Sequence, residues 1–228
     1  MRIPAERIAI LRNAAAPAFQ TLERRSPPFF RTGAAPVLAY TSTPFRGLAI
    51  LLTAFPAIRA AVPGCRLRVY SSMGVYQVAD ASDDYRVLYE LARALPGSEY
   101  VGSLPQTALA QALADADILA YPSVFPETSC ISVMEAMAAG CLVASSRLGA
   151  LPETTAGFGF LIDASTDLVG MAREFAKLVV ALIRTAREKP EQFEDGLRRQ
   201  RSHARAAYDW TTRAQDWEQA LQRLRGRR

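Results

Sequence analysis

The sequence holds few of the residues from which metal sites and histidine-based catalysis are built. Among its 228 residues there are one histidine, His203, and three cysteines, Cys65, Cys130 and Cys141. The cysteines lack the spacing of metal ligands, and their odd number fits reduced thiols that pack as small apolar side chains. His203 stands in a basic C-terminal segment, where we expect it to face the solvent. The sequence therefore predicts no metal site.

Long apolar runs are also missing. Hydrophobic residues make up 50% of the chain, yet no run approaches the roughly 20 residues that a helix needs to cross a bilayer. Residues 1–12 contain no apolar segment of the kind that a secretory signal carries. A packed globular protein with a cytoplasmic location is the default expectation.

The whole chain has a formal net charge of +5. Much of its positive charge lies in the last third. The arginines there are Arg198, Arg199, Arg201, Arg205, Arg225, Arg227 and Arg228. They are interpreted as a solvated helical face with a frayed tail, or as a surface for an anionic membrane, an acidic partner or nucleic acid. The interleaved aromatic and basic residues that bind single-stranded nucleic acid are absent. We therefore expect no nucleic-acid partner, and peripheral contact with the inner face of the membrane stays open.

Strand-like and helix-like patterns alternate along most of the chain. Apolar runs typical of buried strands are followed by apolar residues at helical spacing, such as Leu48, Leu51 and Leu52. The predicted strands are Pro36–Tyr40, Leu67–Ser71, a short one ending at Tyr100–Gly102, Asp117–Tyr121, Cys141–Ser145 and Phe158–Ile162. This alternation predicts an α/β fold, a single Rossmann-like domain whose mostly parallel six-stranded sheet is flanked by helices. In such sheets, ligands bind beyond the carboxyl ends of the strands.

The same patterns divide the chain into three regions. Residues 1–35, which several prolines interrupt, are interpreted as a linker in which the apolar run Arg7–Asn13 offers one strand. Residues 36–188 are predicted to form the Rossmann-like domain. Residues 189–228 are predicted to form a C-terminal helical extension, and its last helix carries a narrow apolar stripe that includes Trp217 and Leu221.

The most informative segment is Tyr121–Glu153, which contains two spaced glutamates. Glu127 falls in a loop before a helix predicted over Thr128–Gly140, and Glu135 lies two turns inside that helix. At ~1.5 Å per residue the pair spans about 12 Å, which suits a long ligand held at two points. Free N–H groups at the start of the helix favour phosphate or sugar oxygens. The alternative is that Glu127 caps the helix and Glu135 is an exposed helical residue.

A longer pattern surrounds the two glutamates. It runs Pro122-Ser123-x3-Glu127-x7-Glu135-Ala136-Met137-Ala138-x-Gly140, with Gly149 and Glu153 further on. This pattern resembles the donor-binding signature of the family 4 retaining glycosyltransferases, the group 1 transferases of GT-B fold. The resemblance extends from about Arg7 to Trp217. It implies that the chain is one half of a GT-B fold, namely the C-terminal domain that binds a nucleotide-sugar donor.

The resemblance implies a role for each matching residue. Glu135 matches the glutamate that binds the ribose hydroxyls, and Glu127 matches the one that contacts the transferred sugar and stabilises the developing oxocarbenium ion. Arg46-Gly47 matches a Lys-Gly pair whose cation holds the pyrophosphate. The catalytic roles thus fall to Glu127 and Arg46. The other implied donor contacts are the base-reading turn Gly102-Ser103-Leu104 and the amides of the loop Thr128, Ser129, Cys130 and Ile131.

Two features depart from the family pattern. Thr41 stands where the family places a second phosphate-binding arginine, so the hydroxyls of Ser42 and Thr43 are the candidates to compensate. This departure predicts a weaker hold on the leaving diphosphate. The family's N-terminal acceptor domain is matched by no part of the sequence, and we expect activity only where that domain is supplied.

Several functions remain open at this point. With an acceptor domain, the resemblance implies transfer of a sugar from a UDP- or GDP-sugar to an unidentified acceptor, with retention at the anomeric carbon and without a metal or cofactor. The alternative is a non-catalytic module that binds a nucleotide sugar or docks on a partner. Its motivation is the last helix, whose apolar stripe lacks the cover of an acceptor domain and must therefore repack, form a homodimer or bind a partner. An epimerase or phosphorylase is disfavoured because no lysine or histidine occupies a strand-end loop.

Overall fold

The structure is a computed structural model that describes residues 4, 8, 10–78 and 82–225. Its strands are β1 (Val37–Thr41), β2 (Arg66–Tyr70), β3 (Ser98–Tyr100), β4 (Ile118–Tyr121), β5 (Leu142–Arg147) and β6 (Phe160–Asp163). Its helices are α1 (Phe29–Thr32), α2 (Leu48–Ala61), α3 (Arg86–Ala94), α4 (Gln106–Leu113), α5 (Ile131–Ala139), α6 (Leu151–Thr155), α7 (Leu168–Glu188), α8 (Pro190–Ala207) and α9 (Trp210–Arg225). The alternation through β6 confirms the predicted α/β class.

The six strands form one parallel sheet in the order β3-β2-β1-β4-β5-β6. The central strands β1 and β4 are buried along their whole length, as expected where helices cover both faces of a sheet. The predicted six-stranded, Rossmann-like sheet is therefore confirmed. The strand order reverses between β1 and β4, and in an open α/β sheet this is the place where ligands bind beyond the carboxyl ends of the strands.

Two helix pairs cover the sheet. Helix α2 packs against α7, and α5 packs against α8. Residues of α7 at helical spacing form its buried stripe, whose larger side chains are Met171, Phe175, Val179, Leu182 and Ile183. In α8, the buried Gln200 amide donates a hydrogen bond of 2.8 Å to the carbonyl oxygen of Cys141, at the end of α5. This bond fixes α8 beside the helix that carries Glu135.

The segment before β1 packs into the same core as the sheet. Phe19 and Phe29 are buried there. The carboxylate of Asp117 anchors the segment, because it accepts hydrogen bonds from the Arg24 guanidinium at 3.0 Å and from the amides of Phe29 at 3.2 Å and Val37 at 2.9 Å. Where the sequence predicted a strand in Arg7–Asn13, residues 8 and 10–13 belong to no strand. The rest of that run lies outside the described residues.

Helix α5 is shorter than predicted. It begins at Ile131, whereas the sequence predicted a start at Thr128. Residues 128–129 form a bend, and Cys130 still has an extended backbone with φ −97° and ψ 94°. The loop is drawn towards the turn after β5, where the amide of Ala150 donates to the carbonyl oxygen of Glu127 at 2.7 Å. Glu135 consequently lies about one turn inside the helix, not two.

Some C-terminal basic residues are less solvated than the sequence suggested. His203 is half-buried, with its ring 5.6 Å from that of Phe158. The expectation of a solvent-facing histidine was therefore wrong. Arg201 and Arg205 both donate to the carbonyl oxygen of Leu22. They hold the N-terminal segment against α8, an arrangement that charge patterning along one helix cannot reveal.

The apolar stripe of α9 is exposed. The exposed fraction is 38% for Trp210, 44% for Trp217, 56% for Leu221 and 64% for Leu224. Among the helices in the described part of the chain, none combines the length and the apolar character that crossing a bilayer requires.

Replacing Asp117 by alanine is expected to lower the free energy of unfolding by about 3 kcal/mol, since it leaves the Arg24 charge unpaired at a nearly buried site. The side chains of this pair are 11% and 10% exposed. Urea denaturation measures the effect. The matched control is Asp163→Ala, which removes a 90% exposed partner of Arg147 and should change stability by less than about 0.5 kcal/mol. Equal losses in the two variants would contradict the anchoring role of Asp117.

Candidate functional site

A cleft of about 460 Å³ opens at the carboxyl edge of the sheet, between the loops that follow β1 and β4 and the first turn of α5. Nine residues that the sequence singled out line this cleft. They are Ser42, Arg46, Ser103, Leu104, Glu127, Ser129, Cys130, Ile131 and Glu135. Gly47 and Thr128 are not among the lining residues. The fold thus brings most of the candidate donor contacts to one concave surface at the point where the strand order reverses.

The two candidate catalytic residues form an ion pair inside the cleft. Nη1 of Arg46 lies 2.5 Å from Oε1 of Glu127 and also contacts Oε2. The carboxylate side chain is 3% exposed and the guanidinium side chain 22%. The Phe125 ring lies 4.5 Å from the Arg46 Cζ atom and covers the guanidinium plane. Burial opposes the arginine charge, but hydrogen bonds to Glu127 and Tyr76 outweigh this penalty and raise the pKa of Arg46.

A buried tyrosine supplies a further contact to Glu127. The hydroxyl of Tyr121 donates to Oε1 of that carboxylate. Burial raises the pKa of Tyr121 well above its usual value, so the phenol keeps its proton and acts as a donor at neutral pH. The Glu127 carboxylate is therefore held from two directions, by the cation and by the phenol.

Two glycines bring the loops of the site into contact. A Cβ atom on Gly47, whose φ is +139°, would lie 2.1 Å from the carbonyl oxygen of Pro122. A Cβ atom on Gly149, at φ +55°, would lie 2.5 Å from the carbonyl oxygen of Glu127. Both positions require glycine for conformation and for space. Gly47 therefore positions the loop after β4, and Gly149 supports the backbone of Glu127.

Glu135 also lines the cleft, and few neighbouring groups stabilise its charge. It lies in α5 and is 3% exposed. Among the described residues it has one hydrogen bond, a long one of 3.4 Å that Oε1 accepts from the backbone amide of Ala16. Burial raises the pKa of the Glu135 carboxyl from 4.5 to about 7, against the opposing effect of that amide. This carboxyl therefore has free hydrogen-bonding capacity towards the cleft, and it titrates near neutral pH.

The rest of the lining is rich in hydroxyl groups. Among the lining residues that the structure describes, Arg46 is the one cation. Thr41, at the position of the family's second arginine, is 7% exposed. The hydroxyl oxygens of Thr41 and Thr43 are buried and lack a hydrogen-bond partner among the described residues. Buried hydroxyls without a partner are uncommon in folded proteins, and at a cleft wall they can donate to the oxygens of a bound anion.

Three residues of the site were missed by the sequence analysis. Tyr121 was treated only as the end of a strand, and Phe125 falls among the three unspecified positions between Ser123 and Glu127 in the motif. Tyr76, whose ring lies 6.2 Å from that of Phe45, follows β2 and reaches Arg46. The adjacency of Tyr121 to Pro122-Ser123 was the one signal available. The contacts themselves join loops that are far apart in the chain.

A comparison with family models decides the classification of the chain. The family described as Glycosyl transferases group 1 matches residues 35–184. The chain belongs to this family. The match spans all six strands of the sheet and both glutamates. No curated protein matches the sequence significantly.

Solved glycosyltransferase structures share the fold of this group 1 chain. Anabaena Alr3699/HepE in complex with UDP and glucose is 20% identical, with a TM-score of 0.71 over 96% of this chain and 58% of that one. The same protein in complex with UDP-glucose is 21% identical, with a TM-score of 0.66 over 89% of this chain and 55% of that one. Sucrose-phosphate synthase from Thermosynechococcus elongatus is 19% identical, with a TM-score of 0.65 over 92% of this chain and 51% of that one. The group 1 chain therefore spans about half the length of these solved chains, and it has the fold of one half of a GT-B enzyme.

The raised pKa of Glu135 predicts a pH-dependent stability difference between the native chain and Glu135→Gln. Because the folded-state pKa is about 7 and the ordinary value is 4.5, the native chain loses stability as pH rises between these values, by up to about 3 kcal/mol relative to the variant. Urea denaturation at pH 5 and pH 8 measures this change. Glu90→Gln, which alters a side chain that is 72% exposed, controls for the loss of one charge. A difference that is the same at both pH values would contradict the assignment.

Proposed function

We propose that the chain is the donor-binding domain of a retaining glycosyltransferase, which transfers a sugar from a UDP- or GDP-sugar to an acceptor. The observation that carries this proposal is the placement of Arg46, Glu127 and Glu135 on one cleft beside the first turn of α5. A long ligand with a diphosphate in its middle fits such a cleft, because the cation and the helix N-terminus are flanked by hydrogen-bond acceptors on either side.

In the proposed complex, each part of the donor meets a group of suitable chemistry. The ribose hydroxyls donate to the Glu135 carboxylate, and the base lies at the turn that contains Ser103 and Leu104. The diphosphate contacts Arg46 and the backbone amides before and at Ile131, with the Ser42 hydroxyl nearby. The transferred sugar lies against Glu127. No metal is required, because a cation and a helix N-terminus compensate the diphosphate charge.

The proposed reaction needs stabilisation of charge at two places. The bond between the anomeric carbon and the diphosphate oxygen breaks, the acceptor hydroxyl oxygen forms a bond to that carbon on the same face, and the hydroxyl proton passes to the departing diphosphate oxygen. Negative charge develops on the leaving diphosphate, where Arg46 and the hydroxyls of Thr41 and Thr43 can stabilise it. Positive charge develops on the sugar ring, where the Glu127 carboxylate can stabilise it. With one cation at the diphosphate, we expect weaker donor binding than in a cleft with two.

The acceptor side of this reaction requires a further protein surface. This chain spans 55% and 58% of the HepE chains, so a large part of those solved glycosyltransferases has no counterpart in it. We propose that an N-terminal acceptor domain supplies that surface, and that the chain is inactive without it. The exposed stripe of α9 favours one alternative, a module that binds a nucleotide sugar and docks on a partner or on a second copy.

A cytoplasmic location with contact to the inner membrane face is also a proposal, motivated by the basic residues of α8 and α9.

Calorimetric titration with UDP, GDP and ADP tests the nucleotide site. We expect UDP or GDP to bind, and Glu135→Ala to weaken that binding about tenfold or more, since it removes a charged hydrogen-bond acceptor. Affinity should also rise as pH increases through about 7, because the ionised form of Glu135 accepts the ribose hydrogen bonds. Glu90→Ala, on the exposed face of α3, is the control. If none of the three nucleotides binds the native chain, the proposed function is wrong; if Glu135→Ala binds as tightly as the native chain, the ribose assignment is wrong.

A further inference from the structure

The surroundings of Glu127 raise a question about the loaded cleft. In the structure its buried carboxylate has two side-chain partners, the Arg46 guanidinium and the Tyr121 hydroxyl. The proposed function gives Arg46 a second task, which is to bind the diphosphate. A diphosphate that attracts Arg46 also repels the Glu127 carboxylate. The buried carboxylate then needs another partner if it is to stay ionised and in place.

We propose that Tyr121 is a positioning residue, which keeps the Glu127 carboxylate directed at the transferred sugar when Arg46 engages the diphosphate. This inference rests on the proposed function. Tyr121 does not line the cleft, so it acts on the donor only through Glu127. A phenol that donates to a carboxylate forms a strong, charge-assisted hydrogen bond, and the bond remains after the guanidinium has moved.

The structure holds the Tyr121 side chain firmly enough for this role. Tyr121 is the last residue of β4 and is fully buried. Its ring packs against Tyr40 with centroids 5.8 Å apart. Its carbonyl oxygen accepts a hydrogen bond of 2.6 Å from the hydroxyl of Ser145, on the neighbouring strand β5. Ring and backbone are thus both fixed, so the hydroxyl has one stable direction.

The polar environment of the Tyr121 hydroxyl is consistent with one strong acceptor. The Ser42 hydroxyl lies 3.5 Å from the phenol oxygen, and the Cys130 thiol is also within reach. Both are weaker acceptors than a carboxylate. Glu127 is the charged acceptor among these neighbours, and the burial of the phenol strengthens the bond between them. Phenylalanine would fill the same volume in the core, so the hydroxyl itself is the feature to test.

The experiment compares a nucleoside diphosphate with its sugar conjugate. Dissociation constants for UDP and UDP-glucose are measured by calorimetry for the native chain and for Tyr121→Phe, with GDP and GDP-mannose replacing them if the guanine nucleotide binds more tightly. Tyr208→Phe is the matched control, because it removes another buried phenol hydrogen bond, to the carbonyl oxygen of Thr154, at a residue that does not line the cleft. Urea denaturation shows whether each variant is folded.

We expect Tyr121→Phe to weaken UDP-glucose binding about tenfold while UDP binding changes less than about twofold, because UDP lacks the sugar that Glu127 contacts. Tyr208→Phe should change neither the dissociation constant for UDP nor that for UDP-glucose. Equal weakening of both ligands would show a merely structural role for Tyr121, and unchanged binding of both would show no role; either result overturns the inference alone. If the native chain binds no nucleotide or nucleotide sugar, the proposed function fails, and this inference fails with it.

Discussion

The ion pair between Arg46 and Glu127 is the interaction on which the cleft depends. The two residues are 81 positions apart in the chain and meet because β1 and β4 are neighbours at the reversal of the strand order. Their backbones are joined as well. The amide of Val124 donates to the carbonyl oxygen of Arg46 at 3.1 Å, and the missing side chain of Gly47 lets Pro122 approach. The pair and its backbone supports fix the distance between the two loops and therefore the width of the cleft.

The two acidic residues of the cleft are stabilised in different ways. Glu127 is paired with a guanidinium and a phenol, whereas burial of Glu135, with one long hydrogen bond among the described residues, raises the pKa of that carboxyl to about 7. A carboxylate that must accept hydrogen bonds from a neutral ribose does not need a permanent counter-ion. A carboxylate that must face a developing positive charge has to stay ionised. The environments of the two residues therefore suit the separate roles proposed for them.

Segments outside the sheet complete this domain on one side and leave it open on another. The segment before β1 reaches the cleft through the amide of Ala16, which donates to Glu135. Helix α8 holds that segment through Arg201 and Arg205. Helix α9 instead exposes its apolar stripe, which includes Trp217. The chain spans about half the length of the solved glycosyltransferases that it resembles, and this stripe is the surface that the proposed acceptor domain would cover.

The sequence by itself determined the α/β class, the six strands to within two residues, and the spacing of Glu127 and Glu135, because hydrophobic periodicity and motif spacing are local properties. Through the family pattern it predicted nine of the nineteen residues that line the cleft, but not their contacts. Tertiary structure alone decided that Arg46 pairs with Glu127, that Tyr121 reaches the same carboxylate, and that α5 starts three residues late. The physical reason is that these features arise where distant segments pack together, and no local pattern records which strands become neighbours.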